Sequence, residues 1–233
     1  MKKRLLNLQT IQFENDESES KVMWIRFTHT ENGVEGIKYF PTDFSFLDTK
    51  EWTAVCEVGP GWGRNAPFWG NPKYGTENIK FYGVDASPTS VKFFKNNSVF
   101  KFDPEKQYVS NDIDEVILAQ KYDFIYTTVV LNHIGFYENR ANEYHGALGE
   151  DVHDSISIFQ ELWPTLKVGG KILIWECIAG SGQNDWDPQR WLKESFDQSK
   201  IRVIKNEYNI LKCVDGTDLN GRHQNIILEK IKE

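Results

Sequence analysis

From residue 52 onward, short apolar runs alternate with stretches of helical periodicity. The runs at 54–58, 79–84, 107–109, 122–126 and 171–175 predict strands, and 88–96, 113–119, 155–166 and 188–197 predict helices between them. Strands that are apolar nearly throughout and separated by helices belong in a parallel sheet covered on both faces. The end of the chain departs from this rhythm. Residues 201–204 and 225–228 read as two strands with no helix between them, as an antiparallel pair closing the sheet would. The first fifty residues differ again. An acidic run at 14–20 reads as a solvated loop, and strand-like 22–27, Asn32-Gly33 and 37–40 read as a hairpin. The expectation is an α/β domain over residues 51–233 with an N-terminal β-rich extension over residues 1–50.

Composition narrows the class. A chain of 233 residues can bury a sizeable core without disulfides or a structural metal. Its formal charge of -7 is the wrong sign for a phosphate-backbone binder, so no nucleic-acid partner is expected. Cys56, Cys177 and Cys213 are an odd number without C-x-x-C spacing, as reduced intracellular thiols are. No apolar run approaches the roughly 18 residues of a membrane span. Lys2, Lys3 and Arg4 are followed at once by Asn7, Gln9, Thr10 and Gln12, which breaks a signal peptide. The expectation is a soluble cytoplasmic protein with no membrane contact.

The chemistry gathers around Glu57-Val58-Gly59-Pro60-Gly61-Trp62-Gly63-Arg64, which follows the first buried-type strand and opens the next helical stretch. Glycines there permit a sharp turn and let a ligand lie against backbone amides. The spacing is G-x-G-x-G, whereas a dinucleotide fingerprint requires G-x-G-x-x-G and a phosphate loop ends in G-K-[ST]. Pro67, Gly70 and Pro72 interrupt the following helix early, so it must be short or bent. The next strand ends at Asp85. Ser87 then suits an N-cap and Pro88 a first helical position, which puts Asp85 in the crevice where open α/β sheets bind ligands. A carboxylate there can accept hydrogen bonds from both hydroxyls of a ribose. Asp112 ends the third strand at the same rim, with a cap for the helix starting at Ile113 as its plainer reading.

As a set, these residues resemble the class I S-adenosylmethionine-dependent methyltransferases, of the small-molecule type. The likeness runs from about Trp52 to the C-terminus. It includes the Gly turn, Asp85, Asp112, Tyr122-Asp123-Phe124-Ile125, and the stretch from Leu166 through Gly169-Gly170 to Ile174. It implies a Rossmann-like, seven-stranded, mostly parallel sheet with S-adenosylmethionine as cofactor. On this likeness Gly59, Gly61 and Gly63 line the methionine part. Asp85 and Ala86 hold the ribose, Asp112 and Ile113 flank the adenine, and Thr128 is a further cofactor-binding residue. Glu57 orients the turn or meets the methionine ammonium through water.

After the fourth strand there is neither the [DNS]-P-P-[YFW] loop of base N-methyltransferases nor the Pro-Cys of cytosine C5 enzymes. Val130-Leu131-Asn132-His133-Ile134 instead resembles the V-L-x-H-[IVL] stretch of small-molecule methyltransferases. His133 and Glu176 are the candidate bases, with packing as the alternative for the histidine. The polar stretch 135–154 and the loop 180–187 supply acceptor candidates Tyr137, His145, His153 and Trp186. Trp24, Trp62, Trp69 and Trp191 read as pocket walls or as core. The His and acid spacing in 135–154 matches no established ligand set, so no metal is expected. The favoured function is O-methylation of a small polar acceptor such as a sugar or sugar nucleotide. The alternatives are N-methylation of a small amine or a protein side chain, and a non-catalytic binding or scaffold protein. The N-terminal hairpin stands as a lid, a homodimer contact or a pocket wall.

Overall fold

A computed structural model describes residues 3–5, 42–61, 63–96, 103–128, 130–131, 151–177, 187–208, 214 and 223–233. Among the described residues, in chain order, the strands are β1 (Lys3–Leu5), β2 (Ala54–Val58), β3 (Lys80–Val84), β4 (Gln107–Ser110), β5 (Tyr122–Thr128), β6 (Asp151–His153), β7 (Leu166–Cys177), β8 (Ile201–Tyr208) and β9 (His223–Lys230). The described α-helices are α1 (Pro88–Asn96), α2 (Ile113–Ile117), α3 (Ser157–Leu162) and α4 (Pro188–Ser195). Seven strands form one sheet in the order β4-β3-β2-β5-β7-β9-β8. All neighbours pair in parallel until β9, which runs antiparallel to both β7 and β8. This is the Rossmann-like α/β sheet with an antiparallel C-terminal pair. Strand order reverses between β2 and β5, so the crevice outside their carboxyl ends is the place for a ligand.

The helices start where the sequence supplies caps. Ser90 N donates to Ser87 Oγ at the head of α1, Asp114 N to Asp112 Oδ1 at α2, and Gln189 N to Asp187 Oδ1 at α4. The stretch 155–166, expected as one helix, is shorter: α3 ends at Leu162, and a 3-10 turn (Trp163–Thr165) carries Pro164. Proline tolerates only a first-turn position, which ends the regular hydrogen bonding there. The expected helix after the Gly turn is replaced by two 3-10 turns, Ala66–Phe68 and Pro72–Tyr74, each with proline early. Gly70 and Gly75 at positive φ close them off.

Both faces of the sheet are covered. On one, Cys56, Ile125, Ile172, Ile174 and Ile226 pack against residues of α2, α3 and α4, including Val116, Phe159 and Trp191. On the other, Val55, Phe124, Tyr126, Leu173 and Trp175 meet Phe94 of α1, the first 3-10 turn and Phe44. Phe44 stacks on Trp69 at 5.1 Å and meets Phe68, Phe124 and Tyr126 edge-on, so the segment from residue 42 covers the face that a regular helix would otherwise fill. At the amino end of the sheet, Asp123 Oδ2 accepts from Thr53 N (2.7 Å) and Ala54 N (3.1 Å), and Oδ1 pairs with Lys167 (2.7 Å).

The hairpin expected at 22–40 lies outside the described residues. The one N-terminal strand that is described, β1, pairs in parallel with β6, Leu5 opposite His153. No described helix is long and apolar enough to cross a membrane.

Candidate functional site

The Gly turn leaves β2 at Glu57 and Val58. Gly59 (φ 72°), Gly61 (φ 55°) and Gly63 (φ 87°) all lie in the left-handed region, which side chains other than glycine enter only at a cost. Gly59 N donates to Val84 O (2.8 Å), tying the turn to β3. A Cβ on Gly59 would lie 2.5 Å from Val130 Cγ1, so glycine is required there by contact as well as by conformation.

Asp85 follows β3 and points back at the turn. Its Oδ2 accepts from Gly61 N (2.8 Å) and its Oδ1 from Ser87 N (2.9 Å). Burial raises its pKa, while the amides of Ser87 and Gly61 pull it back. Each oxygen therefore holds one amide and keeps lone pairs for further donors. Ala86 beside it is buried. At the end of β4, Asp112 caps α2, so the plainer reading of this acid is realised in the geometry. Ile113 is fully buried among Val84, Ala86 and Val116.

Glu57 lies at the centre of a buried polar cluster. Asn65 Nδ2 donates to its Oε1 (2.7 Å), Tyr126 OH to its Oε2 (3.0 Å), and Thr128 Oγ1 to its Oε1 (3.3 Å). Trp69 Nε1 donates in turn to the Tyr126 oxygen (2.8 Å), and Thr42 N to Asn65 Oδ1 (2.9 Å). Burial pushes the Glu57 carboxyl up to about 7, against the pull of Asn65, the Arg64 charge, Tyr126 and Thr128. The Arg64 guanidinium lies over the Trp175 ring at 5.8 Å. Burial also holds the Tyr126 phenol and the Cys56 thiol well above their ordinary ranges, which makes the thiol inert as a nucleophile.

The structure thus gathers Glu57, the three glycines, Asp85, Ala86, Asp112, Ile113 and Thr128 at or just behind the carboxyl edge of β2, β3, β4 and β5. Glu176, on β7, is fully buried, and its Oε2 accepts from Val130 N (2.9 Å) and Leu131 N (2.7 Å). His153 lies half-buried on β6. His133, Tyr137, His145 and Trp186 lie outside the described residues. Among the described residues, no group of three or more His, Cys, Asp or Glu could hold a metal ion. Asn65 and Tyr126 were not legible as partners of Glu57. An asparagine just past a turn signals a turn, and a tyrosine inside an apolar run signals core.

The profile of the protein family described as Methyltransferase domain matches residues 56–174, just over half of the chain. The chain belongs to that family. The methyltransferase fold recurs among solved structures. The N-methyltransferase NodS from Bradyrhizobium japonicum, solved with S-adenosyl-L-homocysteine, aligns with a TM-score of 0.52 at 10% identity, over 95% of this chain and 91% of that one. A TehB-like SAM-dependent methyltransferase from Corynebacterium glutamicum aligns with a TM-score of 0.51 at 14% identity, over 94% of this chain and 98% of that one. An O-methyltransferase segment of StiE aligns at 0.48 and 14% identity, over 70% of this chain. This chain spans 50% of the StiE segment's length. No curated protein matches in sequence.

The cofactor of this methyltransferase class is S-adenosylmethionine, and the residues present fit it. The ligand carries a ribose diol, an ammonium and a carboxylate. Asp85 is a buried carboxylate with lone pairs to spare, and Glu57 is a second buried acid next to the Gly turn.

Proposed function

We propose that residues 51–233 form a methyltransferase domain, extended by residues 1–50, that transfers a methyl group from S-adenosylmethionine to an oxygen of a small polar acceptor such as a sugar or sugar nucleotide. The observation that carries the cofactor site is the Asp85 carboxylate, which reaches from the end of β3 to the Gly61 amide. It joins the two pieces of chain that a nucleoside must touch together. Asp85 receives the ribose hydroxyls. Gly59, Gly61 and Gly63 line the methionine portion, with Glu57 directed to its ammonium and Thr128 fixing Glu57. Asp112 and Ile113 border the adenine.

The bound cofactor supplies an activated methyl group on a sulfonium. The chain's own work is alignment of the acceptor and, for a hydroxyl, removal of its proton. His133, two residues beyond Leu131 at the carboxyl edge of β5, is the proposed proton acceptor. The oxygen acceptor is favoured by the hydrogen-bonding composition of 180–187 and of the stretch bearing Tyr137, His145 and His153, with Trp186 as a ring-stacking wall. The second reading, N-methylation of a small amine, is favoured by the whole-chain likeness to the N-methyltransferase NodS.

Calorimetry tests the cofactor site. S-adenosylhomocysteine is expected to bind wild type and NAD is not. Asp85→Ala is expected to weaken that binding about 10–100-fold, the loss of charge-assisted hydrogen bonds. Binding by the variant at wild-type affinity overturns the ribose assignment. Screening sugar nucleotides and amines for methyl transfer then separates the two acceptor classes. With an acceptor in hand, His133→Ala is expected to lose turnover while keeping cofactor affinity.

A further inference from the structure

Sequence reading makes Glu176 a proton acceptor, but its geometry points to different work. We propose that Glu176 is a positioning residue of the cofactor pocket: by holding the Val130 and Leu131 amides it fixes the Val130 side chain against Gly59, and so sets the Gly turn. This rests on the cofactor reading above.

Three observations carry it. First, one oxygen of Glu176 accepts both successive amides, at 2.9 and 2.7 Å. Consecutive N–H groups of a strand point to opposite edges, so two converging on one acceptor mark the place where the chain leaves β5. Two bonds on one carboxyl oxygen pin that exit to β7. Second, Glu176 has no exposed surface. A general base must come within about 3 Å of the proton it removes. Third, the held segment bears on the turn. The Val130 methyls fill the space in front of Gly59, where a Cβ would meet them at 2.5 and 2.6 Å.

The Gly59 peptide is therefore gripped from two sides, by Val130 and by its bond to Val84 O. Two residues on, Gly61 is held by Asp85. A run of contacts thus leads from β7 across the point of strand reversal to the proposed ribose acid. Loss of the Glu176 carboxylate frees Val130 and lets the turn relax, which costs cofactor affinity.

The experiment is calorimetric titration of full-length wild type, Glu176→Ala, Glu176→Gln and Val130→Ala with S-adenosylhomocysteine. It needs no knowledge of the acceptor. Glu176→Ala is expected to bind about 10–100-fold more weakly, since two buried amides lose their acceptor. Glu176→Gln keeps an oxygen that can accept both amides. It is therefore expected to return to within about threefold of wild type. Val130→Ala keeps the amide bonds and removes the wedge. It is expected to weaken binding about tenfold, a small-cavity cost in a packed wall.

Wild-type affinity in Glu176→Ala, or equal weakness in Glu176→Ala and Glu176→Gln, overturns the positioning role. If Glu176→Ala does not fold, the other two variants decide, and wild-type affinity in Val130→Ala overturns it. Failure of wild type itself to bind overturns the cofactor reading, and this inference with it. The two failures are thereby distinct.

Discussion

Glu57 shows what burial does to a single acid. Its carboxyl is enclosed by Asn65, Tyr126 and Thr128, with the Arg64 charge nearby, yet desolvation outweighs them and pushes it up to about 7. The neutral form is thus favoured in the folded chain. The stability that follows is full below the ordinary value of 4.5 and declines as pH rises through about 7, because the unfolded chain gives up its proton first. Glu57→Gln is expected to flatten the fall of melting temperature over that window. Thermal melts at a series of pH values check this, and an unchanged slope would count against it. On the proposed cofactor reading, an ammonium held near Glu57 draws its pKa back down. Binding of S-adenosylhomocysteine near neutral pH then releases a proton, seen as a binding enthalpy that varies with the buffer.

Elements in this molecule divide their labour by the two ends of the sheet. The carboxyl end carries the turn and the acids. The amino end carries the Asp123 staple, which joins the start of β5 to the start of β2 and to Lys167 at the head of β7. Asp123→Ala leaves two amides without their acceptor. It is expected to cost about 2–3 kcal/mol, the Lys167 share being small because that side chain is part-exposed. At this chain length that lowers the melting temperature by roughly 5–10 °C. Affinity for S-adenosylhomocysteine is expected to stay as in wild type, since the crevice lies at the far end of the strands. A matching loss of affinity would show that the two ends are coupled.

Across the whole molecule, one face of the sheet depends on a segment that precedes the family-matched residues 56–174. Phe44 is fully buried against Phe68, Trp69, Phe124 and Tyr126, and Thr42 N bonds the same Asn65 that donates to Glu57. Core packing and the Glu57 cluster are therefore continuous. Phe44→Ala is expected to cost about 3–5 kcal/mol as a buried aromatic lost to a cavity. It is also expected to weaken S-adenosylhomocysteine binding, because Tyr126, which bonds Glu57, and Trp69, which bonds Tyr126, lose a packing partner. Denaturant unfolding gives the first and calorimetry the second. Loss of stability with unchanged affinity would separate the face from the site.

Local pattern by itself determined the strands β2 to β5, the starts of α1, α2 and α4 and the antiparallel close of the sheet. Apolar period, N-caps and prolines act over a few residues, and here they agree with the fold. The family likeness and the acids at strand ends were legible for the same reason: Asp85 directly follows a short apolar run, and Asp112 follows another after Ser110 and Asn111. Only the tertiary structure decided what depends on distant partners. The helix after Gly63, expected short or bent from its prolines, is a pair of 3-10 turns, and what covers the face beside them is Phe44, 22 residues before Ala66. Asn65 and Tyr126 meet Glu57 from positions 8 and 69 residues away. Glu176, on its own at the end of an apolar strand, carries the composition of a base. The two amides it holds, those of Val130 and Leu131, lie just past β5, which comes beside β7 only once the sheet has formed.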